Sequence, residues 1–469
     1  MKKKVIVVVA ALALIAICAT CLVACNSYKW KSVGGGDPTA PVESNGGYVV
    51  KQGNYLYYIN GYEGTDGDNS WGTPVKQSIV RSELNEDGSV NNATTKVVVP
   101  KLIYNSSAKG GFAIYGDWIY YATPNSDRDK NGVASTTDTD FMRTKIDGSI
   151  TQRITKIGTR SAEYLFTPTR ILYYTSSTIS YVDFTGMKTD KNIDNGSGAK
   201  EGTLVTNVSS VVWSMDCETI FYTKTMTGEE SYKNYNQLCS IKIDGSAQTV
   251  LATENTFLGE DEIAAQNPQK VFKYTLRDLY IESDKSVTLY YTKTYTLNST
   301  DKNVGLFCAK ANAETFKSSE KQLTLTNSTT LYPLGYEEGA LAFNSSSTYC
   351  WYNGSSESLS NPVQVTDSSK TIWKVDAENG IAYFSSSSSA SELLKISYKT
   401  VDNAVIVMSE GMKTDWLKLD FIGDTLYFFA TDDSNYMHSV NIKTFNKDEE
   451  DAESTYVGFE REEDEEEDK

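Results

Sequence analysis

A three-part phrase recurs along this chain and limits the folds that are open to it. The phrase is Ile/Leu-Tyr-Tyr/Phe, then a polar loop, then an alternating run that twice ends in Lys-Ile-Asp-Gly-Ser, at 145–149 and at 242–246. These two runs follow Trp-Ile-Tyr-Tyr at 118–121 and Ile-Phe-Tyr-Thr at 220–223. A unit of this size buries its apolar face only by stacking on neighbouring units. The repeat therefore predicts an array of small sheets and leaves the function open.

The composition favours a large all-β body. The sequence contains 31 tyrosines and only 9 prolines, and outside the N-terminal segment its apolar residues occur in short alternating runs. Alternation with a period of two, in segments rich in aromatic residues and threonine, is typical of β-strands. The body is longer than one β-sandwich normally requires, so a repeat array is the economical arrangement.

Eight candidate hairpins can be aligned along the chain. Their first strands centre on Tyr57, Tyr120, Tyr173, Phe221, Tyr290, Leu341, Tyr383 and Tyr427. Successive centres lie about 40 to 70 residues apart, which is typical of four-stranded propeller blades separated by some long loops. We therefore predict an all-β fold with a single β-propeller at 48–459. The expected number of blades is eight, or six or seven if one or two of the weaker hairpins are insertions, and residues 454–459 are the candidate last strand.

The repeated residues resemble a known family. Leu/Ile-Tyr-Tyr-Thr together with Ile-Asp-Gly-Ser looks like the YWTD repeats of low-density-lipoprotein-receptor propellers, and like the propeller-like domains of bacterial surface lipoproteins. The resemblance covers most of residues 48–446, and it implies the propeller fold. The Trp and Asp of YWTD are mostly replaced, as in Tyr-Tyr-Thr-Lys at 290–293. No ligand residue belongs to the repeat motif, so the resemblance implies no ligand.

The N-terminus has the features of an export signal. Lys2, Lys3 and Lys4 precede an uncharged apolar run at 5–20, and Leu-Val-Ala-Cys closes it at 22–25. This pattern resembles the bacterial lipoprotein signal, with residues 1–24 removed and Cys25 carrying the lipid. An uncleaved membrane anchor is the alternative, because residues 5–24 are long enough to span a bilayer. Both place the body outside the cytoplasm, on the cell envelope.

The segments that flank the body differ from it in composition. Residues 25–47 contain few residues that could pack and several glycines, including Gly46 and Gly47, so they are interpreted as a flexible tether. At the other end, residues 447–469 carry thirteen acidic and three basic residues, out of a formal net charge of −17 for the whole chain. Residues 460–469 are expected to be a disordered acidic tail, with a partner left open. The strong negative charge argues against nucleic acid as a partner.

The chain offers few residues for catalysis or for transition metals. His438 is its only histidine, and it lies in a predicted strand at 437–442, where a packed or surface histidine is favoured over a catalytic one. No Gly-x-Ser-x-Gly, His-Glu-x-x-His or phosphate-loop motif is present. No Cys-x-x-Cys spacing points to zinc. The four cysteines of the body are interpreted as buried thiols, with disulfide pairing left open: Cys217, Cys239, Cys308 and Cys350.

One loop has the spacing of a calcium site. In residues 127–138, oxygen donors stand at positions 1, 3, 5, 9 and 12 of a calcium loop, and Gly132 occupies the sharp turn at position 6. The predicted ligands, with a backbone carbonyl at position 7, are Asp127, Asp129, Asn131, Val133, Ser135 and Asp138. The Glu expected at position 12 is missing, and a polar turn rich in Asp, Asn and Gly is the alternative.

Two classes of function remain. The favoured one is a membrane-anchored extracytoplasmic binding or interaction protein whose propeller face recognises a protein, peptide or glycan. The alternative is an extracellular glycan hydrolase or lyase that uses carboxylates in the central channel. Aromatic residues that could supply contacts, for which ordinary packing is an equally good explanation, are Trp71, Tyr232, Tyr235 and Trp351.

Overall fold

A computed structural model of the protein describes fifteen segments of the chain. They are 32–61, 77–103, 111–125, 137–190, 198–227, 235–254, 273–297, 300–344, 348–366, 371–385, 390–400, 405–413, 420–433, 436–443 and 453–460. Across these segments, no helix combines the length and the apolar character that crossing a membrane requires. The predicted signal, with Cys25, lies outside the described residues.

Four antiparallel sheets follow one another in the first half of the body. Blade 1 contains β1 (Val42–Glu43), β2 (Val49–Gln52), β3 (Tyr55–Ile59), β4 (Ile79–Leu84) and β5 (Val90–Val99). Blade 2 contains β6 (Phe112–Tyr115), β7 (Trp118–Pro124), β8 (Thr139–Lys145) and β9 (Thr151–Ile157). Blade 3 contains β10 (Glu163–Phe166), β11 (Arg170–Thr175), β12 (Thr178–Asp183) and β13 (Lys200–Thr206). Blade 4 contains β14 (Val208–Val212), β15 (Thr219–Met226), β16 (Tyr235–Lys242) and β17 (Thr249–Glu254).

Four further units of the same kind form the second half. Blade 5 contains β18 (Lys273–Ile281), β19 (Val287–Leu297), β20 (Thr300–Lys310) and β21 (Lys321–Gln322). Blade 6 contains β22 (Leu331–Gly335), β23 (Gly339–Phe343), β24 (Tyr349–Tyr352), a short helix α1 (Ser356–Ser360) and β25 (Val363–Gln364). Blade 7 contains β26 (Thr371–Asp376), β27 (Ile381–Ser385), β28 (Ala390–Ser397) and β29 (Val405–Lys413). Blade 8 contains β30 (Asp420–Ile422), β31 (Thr425–Ala430), β32 (Tyr436–Asn441) and β33 (Thr455–Tyr456).

The protein is an all-β, eight-bladed propeller, which confirms the predicted fold class and the predicted number of blades. Seven of the eight hairpin centres lie in the second strand of a blade, including the weaker ones at Leu341 in β23 and Tyr383 in β27, and Tyr57 lies in β3, the third strand of the five-stranded blade 1. The candidate last strand is present as β33, which pairs with β32. Blades 7 and 8 share one continuous sheet because Met412 of β29 pairs with Ala430 of β31.

Among the described residues, eight buried apolar clusters, each shared by two successive blades, hold the ring together. The first joins blades 1 and 2, and the last joins blades 8 and 1 through Val49, Tyr58 and Phe429. This arrangement explains the Tyr-Tyr pairs of the repeated phrase. Successive strand residues point to opposite faces, so Tyr57 enters the cluster with blade 2 while Tyr58 enters the cluster with blade 8. Both faces of a blade are buried, so each of the two adjacent tyrosines packs into an apolar cluster.

Arginines add polar links between the early blades. Arg81 in blade 1 donates to the carbonyl of Ile146 in blade 2 at 3.2 Å, and its guanidinium lies 4.6 Å from the ring centre of Tyr55. Arg170 in blade 3 donates in the same way to Ile243 in blade 4 at 3.3 Å. The accepting carbonyls immediately precede the two Asp-Gly-Ser turns. The repeated phrase therefore supplies both the turn and its contact with the preceding blade.

The ring closes through hydrogen bonds between blades 8 and 1, and the described strands of each of these blades follow one another along the chain. The carboxylate of Asp420 in β30 accepts from the backbone amides of Tyr48 and Val49, the second at 2.9 Å. On the outer side, the Asn92 side chain donates to the carbonyl of Tyr456 at 3.0 Å and accepts from the amide of Gly458 at 3.1 Å. Blades 8 and 1 are thus joined by hydrogen bonds between side chains of one blade and the backbone of the other.

Residues 32–47, the described part of the segment for which the sequence predicted a flexible tether at 25–47, lie against the propeller. The amide of Val33 donates to the carbonyl of Asp147 at 2.7 Å, and β1 pairs with β2. The hydroxyl of Ser44 donates to the carbonyl of Phe421 in blade 8 at 2.7 Å. Short polar residues and glycines allow a strand-like segment to pack closely, and linkers share this composition.

Candidate functional site

A cavity of about 280 Å³ lies at the inner ends of blades 2, 3 and 4, and we name it the axial cavity. Its lining combines aromatic rings, small residues and one carboxylate. The lining residues are Asn45, Gly46, Gly111, Phe112, Tyr164, Leu165, Phe166, Trp213, Ser214, Met215 and Asp216.

Inner strands and one crossing segment position these side chains. Phe112 begins β6, Tyr164 lies in β10, and Trp213 directly follows β14, so the innermost strands of three blades converge on the cavity. The segment between β1 and β2 forms the remaining wall. The amide of Gly46 donates to the carbonyl of Phe112 at 3.0 Å, and the amide of Phe112 donates to the carbonyl of Gly47 at 3.1 Å.

Glycines at this wall permit a close approach of the backbone. A Cβ atom at Gly111 would lie 2.5 Å from the carbonyl oxygens of both Gly46 and Gly47, and Gly111 has φ of +103°. A Cβ atom at Gly46, with φ of +88°, would lie 2.3 Å from the sulfur of Met215. The Gly-Gly pair that sequence reasoning assigned to a tether therefore forms part of the cavity wall. Nothing in the local sequence distinguished this role from flexibility.

The polar side chains of the lining differ in whether their hydrogen-bonding groups already have partners within the protein. The Asn45 amide is engaged with Ile114: its oxygen accepts from the backbone amide at 2.7 Å and its nitrogen donates to the carbonyl at 3.0 Å. The hydroxyl of Tyr164 is buried and makes no hydrogen bond to the part of the chain that the structure describes. Burial, followed by the neighbouring Tyr48, raises the pKa of Tyr164, so its hydroxyl stays neutral.

Asp216 supplies the negative charge of the cavity. Its carboxylate lies near Tyr115, whose hydroxyl donates to the carbonyl of Phe166 at 2.9 Å. Burial, followed by the charge of Asp216, raises the pKa of Tyr115. Asp216 is the only carboxylate in the cavity lining, whereas the carboxylate-dependent glycosidase mechanism needs two acids across one site. The axial cavity, as lined by the described residues, is therefore suited to binding.

A second cavity, of about 630 Å³, lies between the outer part of blade 2 and the hairpin of blade 3. Tyr173 is its only aromatic residue, and Lys156 is its only charged one. The rest of the lining consists of Ile157, Gly158, Thr159, Ser161, Thr175 and Ser176. Small hydroxyl residues of this kind commonly line a wet groove between elements, so we favour the axial cavity as the functional site.

The single histidine occupies an arrangement that the sequence analysis missed. His438 is buried in β32, as the prediction of a packed histidine expected. Its Nδ1 atom lies 2.6 Å from the hydroxyl oxygen of Ser454, and its Nε2 atom lies 2.9 Å from Oδ2 of Asp433. If Nε2 donates its proton to Asp433, the lone pair of Nδ1 faces the Ser454 hydroxyl. No motif spacing links the three residues, because the register of β32 and β33 brings them together.

The predicted calcium loop is described only at its end. Asp138 is present, and its Oδ2 atom lies 3.8 Å from Nζ of Lys156. The remaining predicted ligands lie outside the described residues: Asp127, Asp129, Asn131, Val133 and Ser135. Within the described segments, no group of three or more His, Cys, Asp or Glu side chains is placed to hold a metal ion.

Of the aromatic residues singled out from the sequence, two can be placed. Trp351 is half-buried in β24, where its indole nitrogen donates to the carbonyl of Glu338 at 2.8 Å. Its ring also contacts Tyr398 edge-on, so it serves packing between blades 6 and 7. Tyr235 begins β16 and is half-buried, while Trp71 and Tyr232 lie outside the described residues.

The four body cysteines carry free thiols in the structure. Cys239, Cys308 and Cys350 are buried, as predicted, and Cys217 is half-buried. Burial raises the pKa of the Cys308 thiol to about 12, so this group stays protonated and behaves as a small apolar side chain.

Comparisons with known proteins find solved structures that share little sequence identity with this chain. No protein-family model matches the sequence, and no curated protein matches it either. A puromycin hydrolase structure is 10% identical with a TM-score of 0.38, over 88% of this chain and 53% of that one. A Mycobacterium tuberculosis puromycin-hydrolyzing peptidase is 8% identical with a TM-score of 0.36, over 92% of this chain and 56% of that one.

An oligogalacturonate lyase in complex with manganese is 10% identical with a TM-score of 0.34, over 73% of this chain and 74% of that one. The chain thus spans about half the length of the two puromycin-hydrolyzing proteins. All three TM-scores are below 0.5, so these structural similarities do not indicate an activity.

Proposed function

We propose that this protein is a lipid-anchored binding protein of the bacterial cell envelope, which recognises a protein, peptide or glycan outside the cytoplasm through the axial cavity. The observation that carries the proposal is the cavity itself, which is lined by four aromatic residues and by the exposed carboxylate of Asp216. Pockets lined mainly by aromatic and apolar groups, with a few placed polar groups, are typical of ligand sites.

The size of the cavity limits what enters it. A volume of about 280 Å³ is near the lower end of ligand pockets, so it holds one side chain or one ring of a larger ligand. The rest of that ligand would lie on the surrounding face of the propeller. This division suits recognition of a polymer by one anchoring group.

Binding is tested on peptide and glycan arrays with the mature protein and with Asp216→Asn. Asp216 is exposed, so this substitution leaves the buried core intact. We expect a set of bound ligands whose signal falls in the variant. Ligands that bind both proteins equally would remove the axial cavity from the proposal, and no bound ligand of either kind would reject a recognition role.

Membrane anchoring through Cys25 is a separate part of the proposal and rests on the sequence. The wild type is expected in the membrane fraction and in the detergent phase, while Cys25→Ala is expected to lose the lipid. Mass spectrometry of the mature N-terminus checks the cleavage. A mature protein that retains Met1 would contradict it.

A second candidate function is acyl hydrolysis by Ser454, which the contacts of His438 favour specifically. In this function Ser454 Oγ bonds to a carbonyl carbon, its proton moves to His438 Nδ1, and the leaving group departs with that proton. Water then releases the acyl group by the same steps, and Asp433 orients the imidazole.

A fluorophosphonate probe tests this second candidate. We expect the probe to label Ser454 in the wild type, as located by peptide mass spectrometry, and to lose that label in Ser454→Ala and in His438→Gln. The half-buried residue Ser439, which follows His438 in β32, serves as a control, since Ser439→Ala should label normally. An unlabelled wild-type protein would show that the three residues only fix β33 against β32.

A further inference from the structure

We propose that the axial cavity binds an alkylammonium group, which deepens the proposed binding function and rests on it. Four aromatic residues and one carboxylate line the cavity, and no lysine or arginine is among the lining residues. The aromatic residues are Phe112, Tyr164, Phe166 and Trp213. Aromatic faces attract cations through their quadrupoles, and a nearby carboxylate adds a direct electrostatic attraction.

The carboxylate is available for such a ligand. Among the described residues, no lysine or arginine forms an ion pair with Asp216. Its own backbone amide is satisfied by the hydroxyl of Ser214 at 3.2 Å. An incoming ammonium group would therefore find an unpaired negative charge and would have no basic side chain to displace.

The available hydrogen-bonding groups fit a cation better than a sugar ring. Both functions of the Asn45 amide are already engaged with the backbone of Ile114, and the Tyr164 hydroxyl is fully buried, so the side-chain groups that a ligand can reach are those of Ser214 and Asp216. A sugar ring needs donors and acceptors around its whole edge, whereas an ammonium group needs a carboxylate, aromatic faces and one accepting oxygen. The hydroxyl oxygen of Ser214, which is half-buried and accepts one hydrogen bond from the amide of Asp216, has a second lone pair that can serve.

The charge of the whole molecule points in the same direction. The formal net charge is −17, so the field around the propeller attracts cationic ligands and repels anionic ones. A cation entering the cavity would also offset part of this repulsion within the protein. Neutral ligands gain nothing from this term.

Calorimetric titration at constant ionic strength separates charge from shape. The probes are choline and its neutral isostere 3,3-dimethyl-1-butanol, together with a short peptide that contains one lysine. We expect choline to bind about tenfold or more tightly than the isostere, and Asp216→Asn to weaken choline binding by about tenfold. The matched control is Glu218→Gln, because Glu218 is exposed and lies two residues outside the lining. It should leave choline binding unchanged.

The outcomes distinguish this inference from the proposed function. Tighter binding of the lysine peptide than of choline supports a peptide source for the ammonium group, and the reverse supports a free small cation. Equal binding of choline and its isostere, or equal effects of the two variants, overturns the inference. If neither cation binds while an array ligand depends on Asp216, the inference fails and the binding function stands. If no ligand of any class binds, both fail.

Discussion

At the residue scale, glycines decide how the N-terminal segment meets the propeller. Gly111 has φ of +103° and faces the carbonyl oxygens of two other glycines, Gly46 and Gly47. Glycine is required at this position for two reasons. Its φ is one that residues with a side chain rarely adopt, and a methyl group would overlap the two carbonyl oxygens. The wall of the axial cavity depends on both.

Gly111→Ala is expected to destabilise the protein more than Gly88→Ala. Gly88 has a similar φ of +84° but nothing within 4 Å of its added Cβ, so its variant reports backbone strain alone, about 1–3 kcal/mol. At Gly111 the overlap with backbone oxygens adds about 1–3 kcal/mol. Chemical denaturation of both variants measures the difference. Equal losses of unfolding free energy would mean that the contact with 46–47 is dispensable.

At the element scale, the recurring Asp-x-Ser turn has one physical design. In β16–β17 the Asp244 carboxylate accepts from the amide of Ser246 at 2.8 Å and from its hydroxyl at 2.6 Å. The same two bonds occur at Asp87, Asp147 and Asp284. The turn fixes the register of its hairpin, and this structural role is sufficient to explain why the phrase recurs.

Ser246→Ala is expected to raise the pKa of Asp244 toward 3.8. The Ser246 hydroxyl is the main cause of the lowered pKa, followed by the Ser246 amide, which the variant keeps. Because the pKa is lowered in the folded state, the carboxylate stabilises folding above the unfolded pKa, and this contribution is lost as the pH falls through the folded pKa. Carbon-13 NMR titration of the carboxyl checks the shift. The exposed Asp284, whose turn is intact, is the internal control.

Calcium binding by the 127–138 loop stays a prediction of the sequence at this same scale. Because calcium would bind the folded state only, it should stabilise that state by about 2.7 kcal/mol at a hundredfold excess over the dissociation constant. Millimolar calcium should therefore raise the melting temperature of the wild type and leave Asp129→Ala unchanged. A wild-type melting temperature that ignores calcium would leave a polar turn at this position.

At the scale of the whole molecule, stability depends on closing the ring. Eight blades form eight shared cores only if blade 8 meets blade 1, and β33 lies on that junction. Val457, which follows β33, is 1% exposed and belongs to the closing cluster with Val49 and Met437. The hydroxyl of Thr95 in blade 1 donates to the carbonyl of Gly458 at 2.7 Å.

Truncation after residue 452 is expected to lower the melting temperature, whereas truncation after residue 460 is not. The shorter protein loses β33 and the burial of Val457, which alone contributes about 1.5–3 kcal/mol. The longer one keeps the junction and loses only residues 461–469, which are seven acidic residues with Arg461 and Lys469. Differential scanning calorimetry compares the two. A normal melting temperature for the shorter protein would place ring closure in β30 and Asp420 alone.

The sequence by itself determined the class of fold, the positions of the blades and the turns. These follow from local chemistry: alternating apolar residues must form two-faced strands, and each Asp-x-Ser turn stabilises itself within three residues. Leu341 and Tyr383 were located as well as the stronger repeats, because the blade spacing applied to them too.

Only the tertiary structure decided the rest. The axial cavity combines Asn45, Tyr164 and Asp216 from separate parts of the chain, and no spacing in the sequence connects them. The same holds for Ser454, His438 and Asp433, which meet through strand register. Gly46 and Gly47 have the composition of a linker, yet they pack, because a glycine's role depends on what approaches it. Contacts of this kind are set by the closed ring, and a linear pattern does not contain them.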